Sequence, residues 1–584
     1  MGCFVRTVLP FVFLAASCFA QSAGPNSDLS HLPVPRFEDV AASAGLTVPH
    51  NATPDQRYIL ESMSGGVGFI DCDNDGNLDI ITVNGTSVDR YKQGGDLMIT
   101  LYHQDTDPNS KDPKSSDIKF HDITKEAGLT RKGWGMGVAV ADFDNDGWQD
   151  IYVTGYGGNV LYRNLGNCKF EDVTDKGGLR VGGFSTGATW GDFDKDGFVD
   201  LFVPRYVSID SNKLPVFGSD DKTCKFRGIP VQCGPWGLPG ESDFLFRNKG
   251  DGTFEDVSKK AGVDDPKHYF GMQGVWADYD NDGWPDLYVA NDAGPNYLYH
   301  NKHDGTFEEV GLLSGAALSG DGQEEGSMGV DFGDIDHDGL LDIIVSEFTE
   351  QPDLLFWNRG PLGFTDISWS SHIAQPSYPL VGWGTKLFDM DNSGWLGLFV
   401  ANGHVYPQMD LVKGGVPYRQ PVLLFRNHHD RTFDDVTALS GLDKLPPEAR
   451  RGAAFGDVNN DGKIDILILN VGKPPTLLIN RTDGTGHAAL FKLVGTKSNK
   501  AAIGARVTVT TSDFVQFNEV RAGSSYLSQN DLRLHFGFGQ KTVIDTTEVS
   551  WPSGKKDVIK NLPTDFIYTI VEGEGVQRKM PFKK

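Results

Sequence analysis

The sequence predicts an all-β protein: a seven-bladed β-propeller followed by a small all-β C-terminal domain. Three observations predict it. An acidic nonapeptide recurs seven times between apolar runs, and a second short signature recurs in step with it. The two ends of the array are also out of phase in the way a closed ring requires.

The acidic pattern occurs in full as DCDNDGNLD (71–79), DFDNDGWQD (142–150), DFDKDGFVD (192–200), DYDNDGWPD (278–286) and DIDHDGLLD (334–342). Two degenerate copies follow, DMDNSGWLG (389–397) and DVNNDGKID (457–465). Side-chain oxygens at positions 1, 3, 5 and 9, a turn-permitting Gly at 6 and a free carbonyl at 7 suit one hard cation, and Ca2+ takes six to eight oxygens in a flexible cage. The expected ligands are Asp71, Asp73, Asp75 and Asp79; Asp142, Asp144, Asp146 and Asp150; Asp192, Asp194, Asp196 and Asp200; Asp278, Asp280, Asp282 and Asp286; Asp334, Asp336, Asp338 and Asp342. The weaker loops would use Asp389, Asp391 and Ser393, and Asp457, Asn459, Asp461 and Asp465. Five to seven calcium sites are therefore expected. The sixth loop reads equally well as a metal-free turn, because Ser393 and Gly397 replace two Asp.

An EF-hand would need a bidentate Glu at position 12 and flanking helices. Position 12 is Thr82, Val153, Val203, Val289, Val345, Val400 or Ile468, inside strand-like runs such as DIYV and DILIL. The loops hold 25 Asp against a net charge of −26, so the rest of the chain is close to balanced. An acidic chain of this kind is a poor nucleic-acid or anionic-lipid binder.

The second signature is RFEDV (36–40), KFHDI (119–123), KFEDV (169–173), TFEDV (253–257), TFEEV (306–310), GFTDI (363–367) and TFDDV (432–436). Most copies follow an apolar run ending in Asn (VLYRN, FLFRN, YLYHN) and a Gly-rich turn such as KGDGT. One repeat is thus four antiparallel strands with the acidic loop between the first and second. The first FEDV has no preceding partners, and the last repeat lacks one. The N-terminal strand should complete the seventh blade and remove two open edges.

These repeats resemble the FG-GAP/VCBS repeats of integrin α-chain-type propellers. The segments GHAALFKLVGTKSNKAAIGARVTV, GSSYLSQNDLRLHFGFG and VSWPSGKKDVI (486–559) resemble the ASPIC/UnbV domain. Their order resembles the cartilage acidic protein family and its bacterial relatives, without the EGF-like cysteine-rich segment of animal members. The resemblance implies extracellular calcium binding and adhesion or matrix contact. It implies no settled enzymatic activity. The organisation expected is a signal peptide at 1–20, a linker at 21–35, the propeller at 36–483, the ASPIC/UnbV-like domain at 484–574 and a tail at 575–584.

The segment MGCFVRTVLPFVFLAASCFAQ reads as a secretory signal, with lipoprotein processing at Cys18 as the alternative. No later stretch is apolar enough to span a bilayer. Export predicts oxidised cysteines: Cys224 with Cys233, and, on weaker grounds, Cys72 with Cys168. Strand alternation puts the acidic loops on one face of the ring and the long connectors (206–241, 402–420, 47–64, 311–327) on the other. That face supplies the candidate ligand groups Trp134, Tyr206, Trp236, His268, Tyr269, His404, Tyr406, Arg450 and Arg451. The function expected is a secreted binding or adhesion module for an extracellular protein or glycan. The alternative is a secreted lyase or hydrolase using His50, His268 and His404, although no catalytic spacing motif is present.

Overall fold

The computed structural model describes residues 33–52, 57–105, 118–214, 224–412, 415–512 and 514–583. The expected signal peptide, Cys18 and most of the expected linker lie outside them. Seven sheets of four antiparallel strands follow the repeats, and the second carries a short fifth strand, Asp96–Leu97, on its inner edge. Blade 1 shows the plan: Val67–Ile70, Asp79–Val83, Ile99–Gln104 and Phe120–Asp122, from channel to rim. Blades 2 to 6 begin at Lys132–Ala141, Thr189–Gly191, Gly271–Ala277, Val330–Gly333 and Gly382–Phe388. Blade 7 uses Arg450–Gly456, Asp465–Asn470 and Thr476–Asn480. Its fourth strand is Phe37–Asp39, which pairs Phe37 with Asn480 and Asp39 with Leu478. The innermost strands pack in cyclic order, blade 7 against blade 1 included, so the ring closes. Apolar side chains of neighbouring blades fill the spaces between sheets, as with Phe388, Phe399 and Phe455 between blades 6 and 7.

Polar side chains also stitch the blades. The Asn ending each third strand donates to a loop carbonyl of the preceding blade: Asn164 to Cys72, Asn248 to Phe143, Asn301 to Phe193, Asn358 to Tyr279, Asn427 to Ile335 and Asn480 to Met390, at 2.8–2.9 Å. Blade 1 has Gln104 there, and its longer amide reaches Val458 of blade 7 at 3.3 Å. Each bond satisfies a carbonyl that burial would otherwise leave unpaired.

The C-terminal domain has two four-stranded sheets. One is ordered Leu534–Gly537, Ala488–Val494, Phe566–Val571, Gly575–Pro581; the other is Val515–Glu519, Arg506–Thr510, Val543–Ser550, Lys556–Pro563. Residues expected as a tail form the edge strand Gly575–Pro581, and Phe582 is buried against Gly462 of the propeller. Pairing with Phe566–Val571 fixes that strand, and the Phe582 ring adds apolar burial.

Between these sheets, residues 522–530 enter the propeller channel and touch the inner strand of every blade. Backbone N–H groups of Phe69, Val138, Trp190 and Val330 donate to carbonyls of Gln529, Leu527, Ala522 and Ser525, at 3.0 Å. The Thr385 and Phe455 N–H groups donate to the Ser525 and Asn530 side chains, and the Leu527 N–H donates to Gln273. Inner strands expose a ladder edge to the channel, and this segment covers it. Tyr526 sits at its apex, fully buried, edge-on to Trp383 at 4.7 Å, with its hydroxyl donating to the Met63 carbonyl at 2.8 Å.

Candidate metal centres and binding face

The seven acidic loops lie on one face and share one geometry. The position-1 carboxylate accepts the N–H of the position-6 Gly in each, as in Gly147 to Asp142 at 2.8 Å and Gly462 to Asp457 at 2.8 Å. The Gly has positive φ, +94° at Gly147, and so does position 4, +58° at Asn145. Position 4 links the loops around the ring. Asn74, Asn145, Asn281, Asn392 and Asn460 donate to the Gly carbonyl of the next loop, and Asn460 reaches Gly76 to complete the circle. The remaining steps are Lys195 over Trp284 and His337 against Trp395.

The position-9 carboxylates differ from the others. Asp150 accepts the N–H of Phe143 at 3.0 Å and of Asn164 at 2.7 Å, and Asp200, Asp342 and Asp465 repeat the arrangement. Both of their oxygens fix the loop to the third strand, which makes position 9 first a scaffold. Positions 1 and 3 carry most of the open valences, and Asp286, at position 9 of the fourth loop, adds one more. One buried oxygen each on Asp144, Asp194, Asp278 and Asp334 has no hydrogen-bond partner among the described residues. In the first loop, carboxylate oxygens of Asp71, Asp73 and Asp75 lie within 4.8 Å of one another. An all-oxygen donor set with orphaned buried carboxylate oxygens fits a hard divalent cation.

Without one, electrostatics oppose the arrangement. Burial, with the neighbouring loop carboxylates adding to it, pushes Asp142 and Asp192 up to about 7 and Asp334 up to about 6. Side-chain cations supply part of the compensation: Arg163 reaches Asp144 and Asp146, and Arg247 reaches Asp194 and Asp196, at 2.5–2.9 Å. Neither Arg stands out in sequence, although both occupy the same place in their repeats, before the recurring Asn of the LYRN and LFRN runs.

The C-terminal domain covers this face and meets all seven loops. Lys492 pairs with Asp71 at 3.2 Å, the Lys500 N–H donates to Asn145, and the Lys497 carbonyl lies against Gly197. Arg506 pairs with Asp278 at 3.4 Å, and Phe514 packs on His337. Asn392 donates to the Gly486 carbonyl, and Arg533 donates to Asn460.

On the opposite face the structure corrects the list of ligand groups. Trp134, Tyr206, His404, Arg450 and Arg451 are at most 1% exposed and are core, not contact surface. The inner strands extend past the sheets toward this face, and the channel must be filled. Trp134, Tyr206 and Trp383 join one apolar cluster with Tyr526. Arg451 stacks on Trp383 at 4.0 Å and donates to the carbonyls of Ser62 and Arg450, while Arg450 donates to those of Gln420 and Pro446. His50 and His404 are buried too, and burial first, then the Arg451 charge, pushes each down to about 3. They are neutral structural imidazoles, poorly placed as an acid/base pair. His268 and Trp236 are exposed, Trp236 at 66%, and Tyr269 and Tyr406 are half-buried. Disulfides join Cys224 to Cys233 and Cys72 to Cys168. The hairpin closed by the first packs Phe226 on Phe348, His404 and Tyr406, capping the channel from this side.

Fold and loops together define an acidic-loop type of β-propeller joined to a β-rich cap. Family models agree: an FG-GAP-like repeat matches residues 71–153, 142–203, 237–289 and 278–345, and the model described as ASPIC and UnbV matches residues 495–577. The chain is an FG-GAP-repeat propeller with a C-terminal ASPIC/UnbV domain, homologous to cartilage acidic protein 1. Human cartilage acidic protein 1 is 27% identical over 335 residues, 55% of this chain and 46% of that protein. The Xenopus tropicalis protein is 29% identical over 289 residues, 47% and 40% of the two chains. The chain thus spans less than half the length of these relatives. Among solved structures, an Agrocybe aegerita lectin that recognises non-reducing terminal N-acetylglucosamine aligns over 70% of this chain and 87% of its own, at 16% identity and TM-score 0.36. The Dos1 propeller aligns over 75% and 95%, at 9% identity and TM-score 0.33. No helix among the described residues is long and apolar enough to cross a membrane.

Proposed function

We propose that this chain is an extracellular, calcium-stabilised binding module that engages a protein or glycan through the face opposite the acidic loops. The observation that carries the reading is the division of labour between the two faces. The loop face is covered by the C-terminal domain at all seven loops, so it is closed to a large partner. The other face keeps the long, unequal connectors, with Trp236, His268 and Tyr269 on or near its surface. Aromatic anchors on rigidly held loops are the usual carriers of binding energy. Calcium would be held by the carboxylates at positions 1, 3 and 5 and would act indirectly, by neutralising the loops that fix the blades. Two disulfides and the homology to cartilage acidic protein 1 support an extracellular location.

The test is a pull-down from extracellular protein and glycan panels with native chain and with Trp236→Ala and Tyr269→Ala. Loss of capture in these variants, with unchanged calcium content and melting temperature, is expected. Normal capture by both variants would contradict the face assignment.

A further inference from the structure

Blade 1 departs from the other blades at one point of its outer strands. In blades 2 and 3 the third and fourth strands set Arg opposite Glu, pairing Arg163 with Glu171 and Arg247 with Glu255. Blade 6 pairs Arg426 with Asp434, and blade 4 pairs His300 with Glu308. Blade 1 sets His103 directly opposite His121. The residue that follows the third strand is Leu165, Lys249, Lys302, Arg359, His428 or Arg481 in the other blades, and in blade 1 it is Asp105. Where blades 2, 3 and 6 set a guanidinium opposite a carboxylate, blade 1 gathers two imidazoles and a carboxylate.

We propose that His103, Asp105 and His121 form a binding site for a divalent transition metal ion of the zinc class. The three donor atoms lie within 4.8 Å of one another. Asp105 is 3.4 Å from His103 Nδ1 and 2.8 Å from His121 Nδ1. Tetrahedral zinc with bonds of about 2.0–2.1 Å needs donors about 3.3 Å apart, so small side-chain rotations close the set. Cross-strand neighbours on one face converge without backbone change. Two nitrogens and one oxygen favour zinc or copper over calcium, which takes oxygen only. The orienting group is present as well: His103 Nε2 lies 3.1 Å from the Asp73 carboxylate, the carboxylate–histidine arrangement that fixes a metal-binding ring. The site is open to solvent, with His121 and Asp105 side chains 54% and 47% exposed, which leaves a fourth position for water or an outside ligand. It touches the first acidic loop through Asp73 but takes none of its donors from it.

The experiment is calorimetric titration of Zn2+ into the full chain held in saturating Ca2+, which keeps the acidic loops occupied. The native chain should bind one Zn2+, and His121→Gln and Asp105→Asn should each weaken that binding by more than about tenfold. Both side chains are exposed, so calcium content and melting temperature should stay at native values. With Cu2+ as a probe, electron paramagnetic resonance should show two coordinated nitrogens in the native chain and one in His121→Gln. Zinc binding unchanged by His121→Gln, or zinc bound only when calcium is omitted, would overturn the proposal. A chain that takes up zinc here yet is indifferent to chelation of calcium would leave this site standing and remove only the calcium reading.

Discussion

Replacing Tyr526 tests how the two domains are joined. The residue belongs to the C-terminal domain, yet its ring is fully buried in the propeller channel among Trp383, Met63 and Leu60, and its hydroxyl donates to Met63. Truncating a buried aromatic side chain to Ala costs about 3–5 kcal/mol where the site cannot collapse, and a channel walled by seven sheets collapses poorly. Tyr526→Phe keeps the ring and removes one hydrogen bond, leaving the Met63 carbonyl buried, at a cost of about 1–2 kcal/mol. Urea unfolding followed by Trp fluorescence should place the variants in that order. Limited proteolysis should show propeller and C-terminal domain becoming susceptible together in Tyr526→Ala, because residues 522–530 bond to every blade. A loss below about 1 kcal/mol for Tyr526→Ala, or a propeller that stays resistant while the C-terminal domain is cleaved, would refute the idea of a channel plug.

Asn248→Ala removes bonds to the carbonyls of Phe143 and Val199 and an acceptor for the Gly250 N–H, so blade 3 should loosen from blade 2 at a cost of about 2–4 kcal/mol by urea unfolding. Burial would raise Glu572, but bonds from Ser553 and from the N–H groups of Thr496, Lys497 and Ser498 outweigh it and hold the carboxyl down to about 2. The stability it adds is present above the ordinary Glu value and is lost as pH falls toward 2. Glu572→Gln should therefore melt lower than native at pH 7, by a stability loss of about 2–3 kcal/mol, with the gap closing in acid. Asp144→Ala should cost one bound calcium by calorimetry, whereas Asp391→Ala should cost none or a weak one, because its loop has Ser393 and Gly397 in place of two carboxylates.

The blades and loops were legible because each is written locally: an alternating run, a turn and a run, repeated until the ring is full. Closure by Phe37–Asp39 was legible from phase alone. The role of residues 522–530 was not, since GSSYLSQN carries only turn signals and its partners lie hundreds of residues away. The Asn at the end of LYRN was visible as a recurrence, but its target is in the preceding blade, which strand periodicity does not reveal. Trp134, Tyr206 and Arg451 read as surface because they flank connectors. Composition cannot distinguish a connector that meets solvent from one folded over a channel. In sequence the strand Gly575–Pro581 reads as a tail, because GVQRKMPF is too polar to signal an edge strand by hydrophobic alternation.

The measurement that bears most directly on the account is the melting temperature of the full chain in excess chelator, then with calcium restored, alongside a count of bound ions. Each of the five full loops gathers four carboxylates, and the second to fifth hold buried carboxylate oxygens that lack partners among the described residues. The account predicts calcium bound at the full loops, a large fall in melting temperature on chelation, and recovery with Ca2+ but much less with Mg2+, whose octahedral demand the loops meet poorly. An unchanged melting temperature in chelator, with no calcium retained by the native chain, would contradict it.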